Sequence, residues 1–185
     1  MKKVFSKKSL LVVFSLFLLL VGCDKGKGEK ATEDVQEWTG KGAQTEEKRI
    51  ESLKASLYEN PDNFELLSAL GDAYFESAKY KEAIAEYDKA LKINPKDADC
   101  LNDKGLAYFY LGNSEAALEV IDKAIKVDPT YKHAWLSKGY MLLSLGKYVE
   151  AEVPFKKVKE LDPLGPLGAD ADNFLAKIDV IKDQQ

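Results

Sequence analysis

Four Asx-Pro pairs, Asn60-Pro61, Asn94-Pro95, Asp128-Pro129 and Asp162-Pro163, recur every 34 residues without slippage. A fixed period of this length restricts the chain to a stack of one local unit, because each copy must bury its apolar face against its neighbours. Two further markers hold the same phase: Gly71, Gly105 and Gly139, and the small residues Ala83, Ala117 and Ala151. Leu67, Leu70, Gly71 and Tyr74 are spaced to share one face of a helix. Each Asx-Pro pair closes a unit, since the residue before proline is pushed out of helical backbone geometry. A glycine inside a helix costs about 1 kcal/mol relative to alanine. Three at one phase predict close approach of a second helix.

The first unit reads Leu67, Leu70-Gly71, Tyr74, Ala83, Tyr87, Ala90, Pro95. The second reads Leu101, Gly105, Tyr108, Ala117, Ile121, Ala124, Pro129, and the third Trp135, Gly139, Leu142, Ala151, Phe155, Pro163. This skeleton resembles the tetratricopeptide repeat (TPR), a helix-turn-helix unit. The resemblance implies an all-α fold: a right-handed TPR solenoid of three full 34-residue repeats (64–97, 98–131, 132–165), with a leading half repeat at 46–61 and a capping helix at 169–182. Eight helices are expected. Ile50, Leu53 and Leu57 give the leading helix its apolar face; Phe174, Leu175, Ile178 and Ile181 do so for the cap. Lys104 and Lys138 stand where the family prefers leucine, and their stems are expected to lie along apolar surface. Pro154 falls inside the second helix of the third repeat, where it removes a hydrogen bond to the Glu150 carbonyl and predicts a kink. Glu152 and Lys159 replace apolar residues in the same helix.

The chain begins differently. Lys2, Lys3, Lys7 and Lys8 precede a twelve-residue apolar run at 10–21, broken only by Ser15. The run is short of the roughly 20 residues that span a bilayer. Its basic start and small-residue end predict a secretory signal peptide over 1–22. Leu20-Val21-Gly22-Cys23 resembles the lipobox of bacterial lipoproteins, which implies a lipid on Cys23 and a domain held at the cell envelope outside the cytoplasm. Asp24 resembles an inner-membrane retention signal. Residues 23–45 are expected to form the lipidated cysteine and a tether, too polar to bury the surface that ordering demands. Trp38 is its one large aromatic.

Without the first 22 residues, the 27 basic residues fall by four to 23 against 31 acids, a net charge of −8. Such a chain lacks the basic footprint of a nucleic-acid binder. His133, Cys23 and Cys100 are the only histidine and cysteines, so no zinc-type cluster is expected. No nucleophile is paired with a base and a third orienting group, so neither catalytic residues nor cofactors are expected.

The resemblance instead places a binding groove on the first helix of each repeat, opposite its packing stripe. The expected groove residues are Asp72 and Phe75; Asp99, Asn102, Asp103, Leu106, Phe109 and Tyr110; and His133, Leu136 and Tyr140. Glu65, Ser68, Glu76, Ser137 and Leu143 share that face. Aromatic anchors beside carboxylates suit a protein or peptide segment that is hydrophobic and basic. The carboxylate-clamp subtype, which binds acidic chaperone tails, would place Lys, Asn and Arg where this chain has Ser68, Asp72, Asp103, His133 and Ser137, so that specificity is not expected. The expectation is a membrane-anchored protein-interaction module. A self-assembling, homo-oligomeric structural lipoprotein, its groove or cap engaging another copy and Cys100 able to support an intermolecular disulfide, is the alternative; an envelope enzyme is a third.

Overall fold

A computed structural model describes residues 45–184. Among them are eight helices and no strand. We number them α1 (residues 45–59), α2 (Phe64–Glu76), α3 (Tyr80–Ile93), α4 (Ala98–Tyr110), α5 (Ser114–Val127), α6 (Lys132–Ser144), α7 (Tyr148–Leu161) and α8 (Pro166–Lys182). The expected signal peptide, Cys23, Asp24, Trp38 and the expected tether up to residue 44 lie outside the described residues.

Local chemistry sets the helix boundaries. Asn63 and Asp97 cap α2 and α4, their side chains accepting the amides of Leu66 and Cys100 at 2.9 Å. Asn113 does the same for α5 through Ala116. The last helix starts earlier than its apolar pattern suggests, at Pro166 rather than residue 169. Proline is favoured in the first turn of a helix, and Asp162 accepts the Leu167 amide at 3.1 Å in place of a cap from Gly165. Pro166 lies 34 residues after Lys132, so α8 stands at the phase of a further first helix.

The phased glycines admit the large side chain of the partner helix. A Cβ added at Gly71 would stand 2.5 Å from the Tyr87 ring, at Gly105 2.8 Å from Ile121, and at Gly139 2.6 Å from the Phe155 ring. Tyr87, Ile121 and Phe155 are fully buried, as are Ala83, Ala117 and Ala151 at the helix crossings. Ile50 on α1 joins the core of the first unit with Leu53 and Leu57 against it, while Ala171 and Ile178 on α8 close the core of the third. The described residues, 45–184, form one compact unit with a core at each end, as expected of an independently folding piece. The outward positions Ala169, Asp172, Asn173 and Ala176 of α8 are exposed and small or polar, and Val180 one turn further is exposed and apolar. The first four solvate the end of the stack.

First helices of successive units approach one another, α2 to α4, α4 to α6 and α6 to α8, whereas the second helices α3, α5 and α7 stay apart. The stack therefore curves with the first helices inside, and their free faces line a concave surface.

Lys104 and Lys138 do more than cover apolar surface. Lys104 Nζ lies 2.5 Å from Asp88 and Lys138 Nζ 2.6 Å from Asp122, each tying a first helix to the second helix of the preceding unit. Pro154 is buried and α7 runs on through it without a break. Glu152 on the same helix accepts from Lys156 and from Lys182 of α8.

Candidate peptide-binding groove

The expected groove residues all lie on α2, α4 and α6, the three helices that line the concave surface. Most of the residues on that face are half-buried; Glu65, Glu76 and Asp99 are exposed, and Asn102 is buried. Half-burial follows from their second role, which is packing between units.

The aromatics form a continuous series. Phe75 meets Tyr110 edge-on at 5.6 Å, Tyr110 meets Phe109 at 5.9 Å, and Phe109 meets Tyr140 at 6.0 Å. Two rings that the sequence reading missed extend it. Tyr80, the first residue of α3, stacks on Tyr110 at 5.5 Å. Phe174 of α8 lies 6.5 Å from Tyr140 and stacks on Phe155 at 4.8 Å. Phe174 had been read as a core residue of the cap, and Tyr80 belongs to a second helix, which the groove listing did not search. The tight turn at 77–79 folds Tyr80 back onto the end of α2. Edge-to-face pairs of this kind add about 0.5–1.5 kcal/mol beyond area burial, so the rings join units as well as lining the groove. Burial, then Tyr140 and Tyr80, push the Tyr110 hydroxyl up to about 12, which keeps it a neutral donor.

The polar residues are held from behind. The Tyr87 hydroxyl donates to Asp72 at 2.9 Å, from the ring that fills the Gly71 notch. The Tyr131 hydroxyl donates to Asp99, tying the residue that precedes α6 to the first turn of α4. Burial raises the ionisation of both tyrosines far above the usual range, so both remain hydrogen-bond donors. His133 lies 5.3 Å from the Tyr131 ring. Burial lowers its pKa, against an opposing pull from Asp99. The Asn102 amide donates to Asp103 at 3.3 Å, while its carbonyl oxygen is buried without a hydrogen-bond partner. An unsatisfied buried acceptor costs about 1–3 kcal/mol, so this is the most poorly satisfied polar atom on the concave face.

Cys100 is fully buried, its Sγ 3.9 Å from the Tyr87 carbonyl. Burial, then Asp103, raises its pKa well above that of a free thiol. It is packing material, and a surface disulfide through it would require local unfolding. Among the described residues no cluster of three His, Cys, Asp or Glu side chains is placed to hold a metal, and no helix is long and apolar enough to cross a membrane.

A curved stack of paired helices with a half-apolar inner face defines an α-solenoid interaction module. Residues 71–112 match the family model described as TPR repeat, and residues 102–166 the one described as tetratricopeptide repeat. The chain therefore carries a tetratricopeptide-repeat domain. No curated protein sequence matches it. Solved structures do. The first TPR of Spaghetti (RPAP3), bound to the HSP90 peptide SRMEEVD, is similar at 28% identity and TM-score 0.59, covering 65% of this chain and 93% of that one. The first TPR domain of human RPAP3 is similar at 28% identity and TM-score 0.61, over 67% of this chain and 95% of that one. The Arabidopsis OM64 TPR domain is similar at 25% identity and TM-score 0.56, over 62% and 94%.

Proposed function

We propose that this protein is a membrane-anchored interaction module of the bacterial cell envelope, which holds a segment of another protein in the concave groove of its TPR domain. The observation that carries the reading is the ring series from Phe75 to Phe174 on the inner face of the stack. Its rings are large, half-buried and fixed by mutual contact, which makes them suitable anchors for a partner. A TPR domain is a protein-interaction module, and the similar Spaghetti domain was solved with a bound peptide. The anchor rests on Leu20-Val21-Gly22-Cys23 behind a basic and apolar leader. Attachment through several acyl chains would be stable where one chain alone gives marginal binding.

Affinity capture from envelope extract tests the binding reading. Residues 24–185 are compared with a Phe109→Ala/Tyr110→Ala variant and with Ser137→Arg, which fills the groove without removing ring contacts. A specific partner held by the native domain and lost by both variants is expected. Retention by both variants would place the site elsewhere. For the anchor, the full chain is expected to partition with detergent and to carry a lipid-sized mass increment on Cys23, both lost in Cys23→Ser; a water-soluble native chain would refute it.

A further inference from the structure

The groove differs from one edge to the other. Each first helix crosses it, so residues early in the helix stand at one edge and residues late in the helix at the other. The early positions are Glu65, Asp99 and His133; the late ones are Phe75, Phe109 with Tyr110, and Tyr140. Because α2, α4 and α6 lie side by side at one phase, these positions merge into two stripes along the stack. One is acidic at Glu65 and Asp99, with Asp103 one turn further on and His133 at the third helix; the other is the contiguous ring series, and Asp72 stands between them at the register of Leu106 and Tyr140. The sixteen groove positions carry five carboxylates and neither lysine nor arginine. One of the five, Glu76, lies at the aromatic edge and is bonded to Arg49 of α1 at 2.5 Å. Asn102 marks the border, with Asp99 one turn before it and Leu106 one turn after, and its buried carbonyl oxygen lacks a donor.

At a rise of about 1.5 Å per residue, Asp103 and Phe109 are separated by about 9 Å along α4, close to the roughly 10–12 Å diameter of a helix with its side chains. A helix laid along the stack, across α2, α4 and α6, would meet both stripes at once. Resting on the groove reading above, we propose that the occupant is a cationic amphipathic helix of a partner protein, its lysine or arginine face on the Asp99–Asp103 edge and its apolar face on the rings. A cation reaching the border supplies the N–H that the Asn102 carbonyl lacks. Apolar contacts at helical spacing anchor the segment, and the carboxylates select its charge and orientation. This charge sense is opposite to the acidic end of the peptide SRMEEVD bound by the similar domain.

The test uses residues 24–185 and fluorescent synthetic peptides of about 18 residues, five helical turns. One carries lysines on one face and leucine and phenylalanine on the other. A second has the same composition scrambled, and a third replaces lysine with glutamate. The lysine amphipathic peptide is expected to bind at least about 10-fold tighter than either control, and to weaken as salt rises. Asp99→Asn/Asp103→Asn, checked for native helicity, is expected to reduce that affinity at least about 5-fold and flatten its salt dependence. Equal binding of the glutamate peptide would overturn the charge assignment, and equal binding of the scrambled peptide the amphipathic one. If groove variants abolish capture of an envelope partner while the lysine peptide fails to bind, the groove reading stands and this inference is wrong. Failure of both experiments removes both.

Discussion

Lys104 reaches back to Asp88 across the junction of the first and second repeats, its ammonium 2.5 Å from the carboxylate, and Lys138 meets Asp122 in the same way one period later. Both pairs are sixteen residues apart, so one substitution pattern recurs at equivalent junctions. At the third junction the charges are exchanged: Lys156 and Asp172 occupy these places, and Asp172 pairs with Lys159 instead. The Lys104 head is largely covered whereas Asp88 is half exposed. A double-mutant cycle with Lys104→Met and Asp88→Asn is expected to give a coupling of about 0.5–1 kcal/mol, reduced in 1 M salt. A coupling indistinguishable from zero would leave the pair no role in joining repeats.

The turn between paired helices gives a sharper prediction. Gly112 and Gly146 hold positive φ angles of 88° and 73°, and the equivalent residue of the first repeat is Ala78, at 56°. Left-handed backbone costs a non-glycine residue about 1–2 kcal/mol. Glycine also gains entropy when unfolded, which offsets part of the relief. Ala78→Gly should therefore stabilise the domain by about 0.5–1 kcal/mol. Gly112→Ala should destabilise it by about 1 kcal/mol. Thermal melts of both variants check the pair, and a lower Tm for Ala78→Gly would contradict it.

Gly139→Ala sets helix propensity against space. Alanine favours the helix by about 1 kcal/mol. Its Cβ would stand 2.6 Å from the fully buried Phe155 ring, and overpacking of this kind costs about 1–3 kcal/mol. A net loss of up to about 2 kcal/mol in urea unfolding is expected. Stabilisation would mean that the ring can move aside.

His133 is the only histidine, so its titration can be followed alone. Burial lowers its folded pKa below the ordinary 6.5; Lys132 adds to the effect, while Asp99 and Asp162 oppose it. The unfolded chain thus binds a proton more readily, and stability must fall as pH drops through 6.5 towards the folded pKa, with the loss complete below it. NMR of the ring protons should show a midpoint under 6.5. His133→Gln should flatten the slope of Tm against pH between 7 and 5.5. A midpoint above 6.5 would mean that the carboxylates outweigh burial.

Much of this fold was legible because its markers are local and periodic. The Asx-Pro pairs and phased glycines placed the paired helices, and the glycine notches are filled by Tyr87, Ile121 and Phe155. Helical phase gave the residues on the free face of each first helix, and the resemblance marked that face as the candidate groove. What the sequence withheld lies between elements. Tyr80 reaches the ring series only through the fold of a turn, and Tyr131 bonds Asp99 from 32 residues away. The start of α8 was misplaced because Asp162, outside the helix, supplies the acceptor that Gly165 lacks. Lys104 was legible only as a stem lying along apolar surface, because its partner Asp88 belongs to the preceding unit.

The central claim is that a partner segment occupies the concave groove. Site-specific photocrosslinking in intact cells tests it most directly, with a benzophenone side chain placed either at Ser137 on the groove face or at Lys123 on the exposed face of α5. The account predicts a discrete crosslinked product from Ser137 and none from Lys123. A product from Lys123 alone would put the working surface on the convex side and contradict the account.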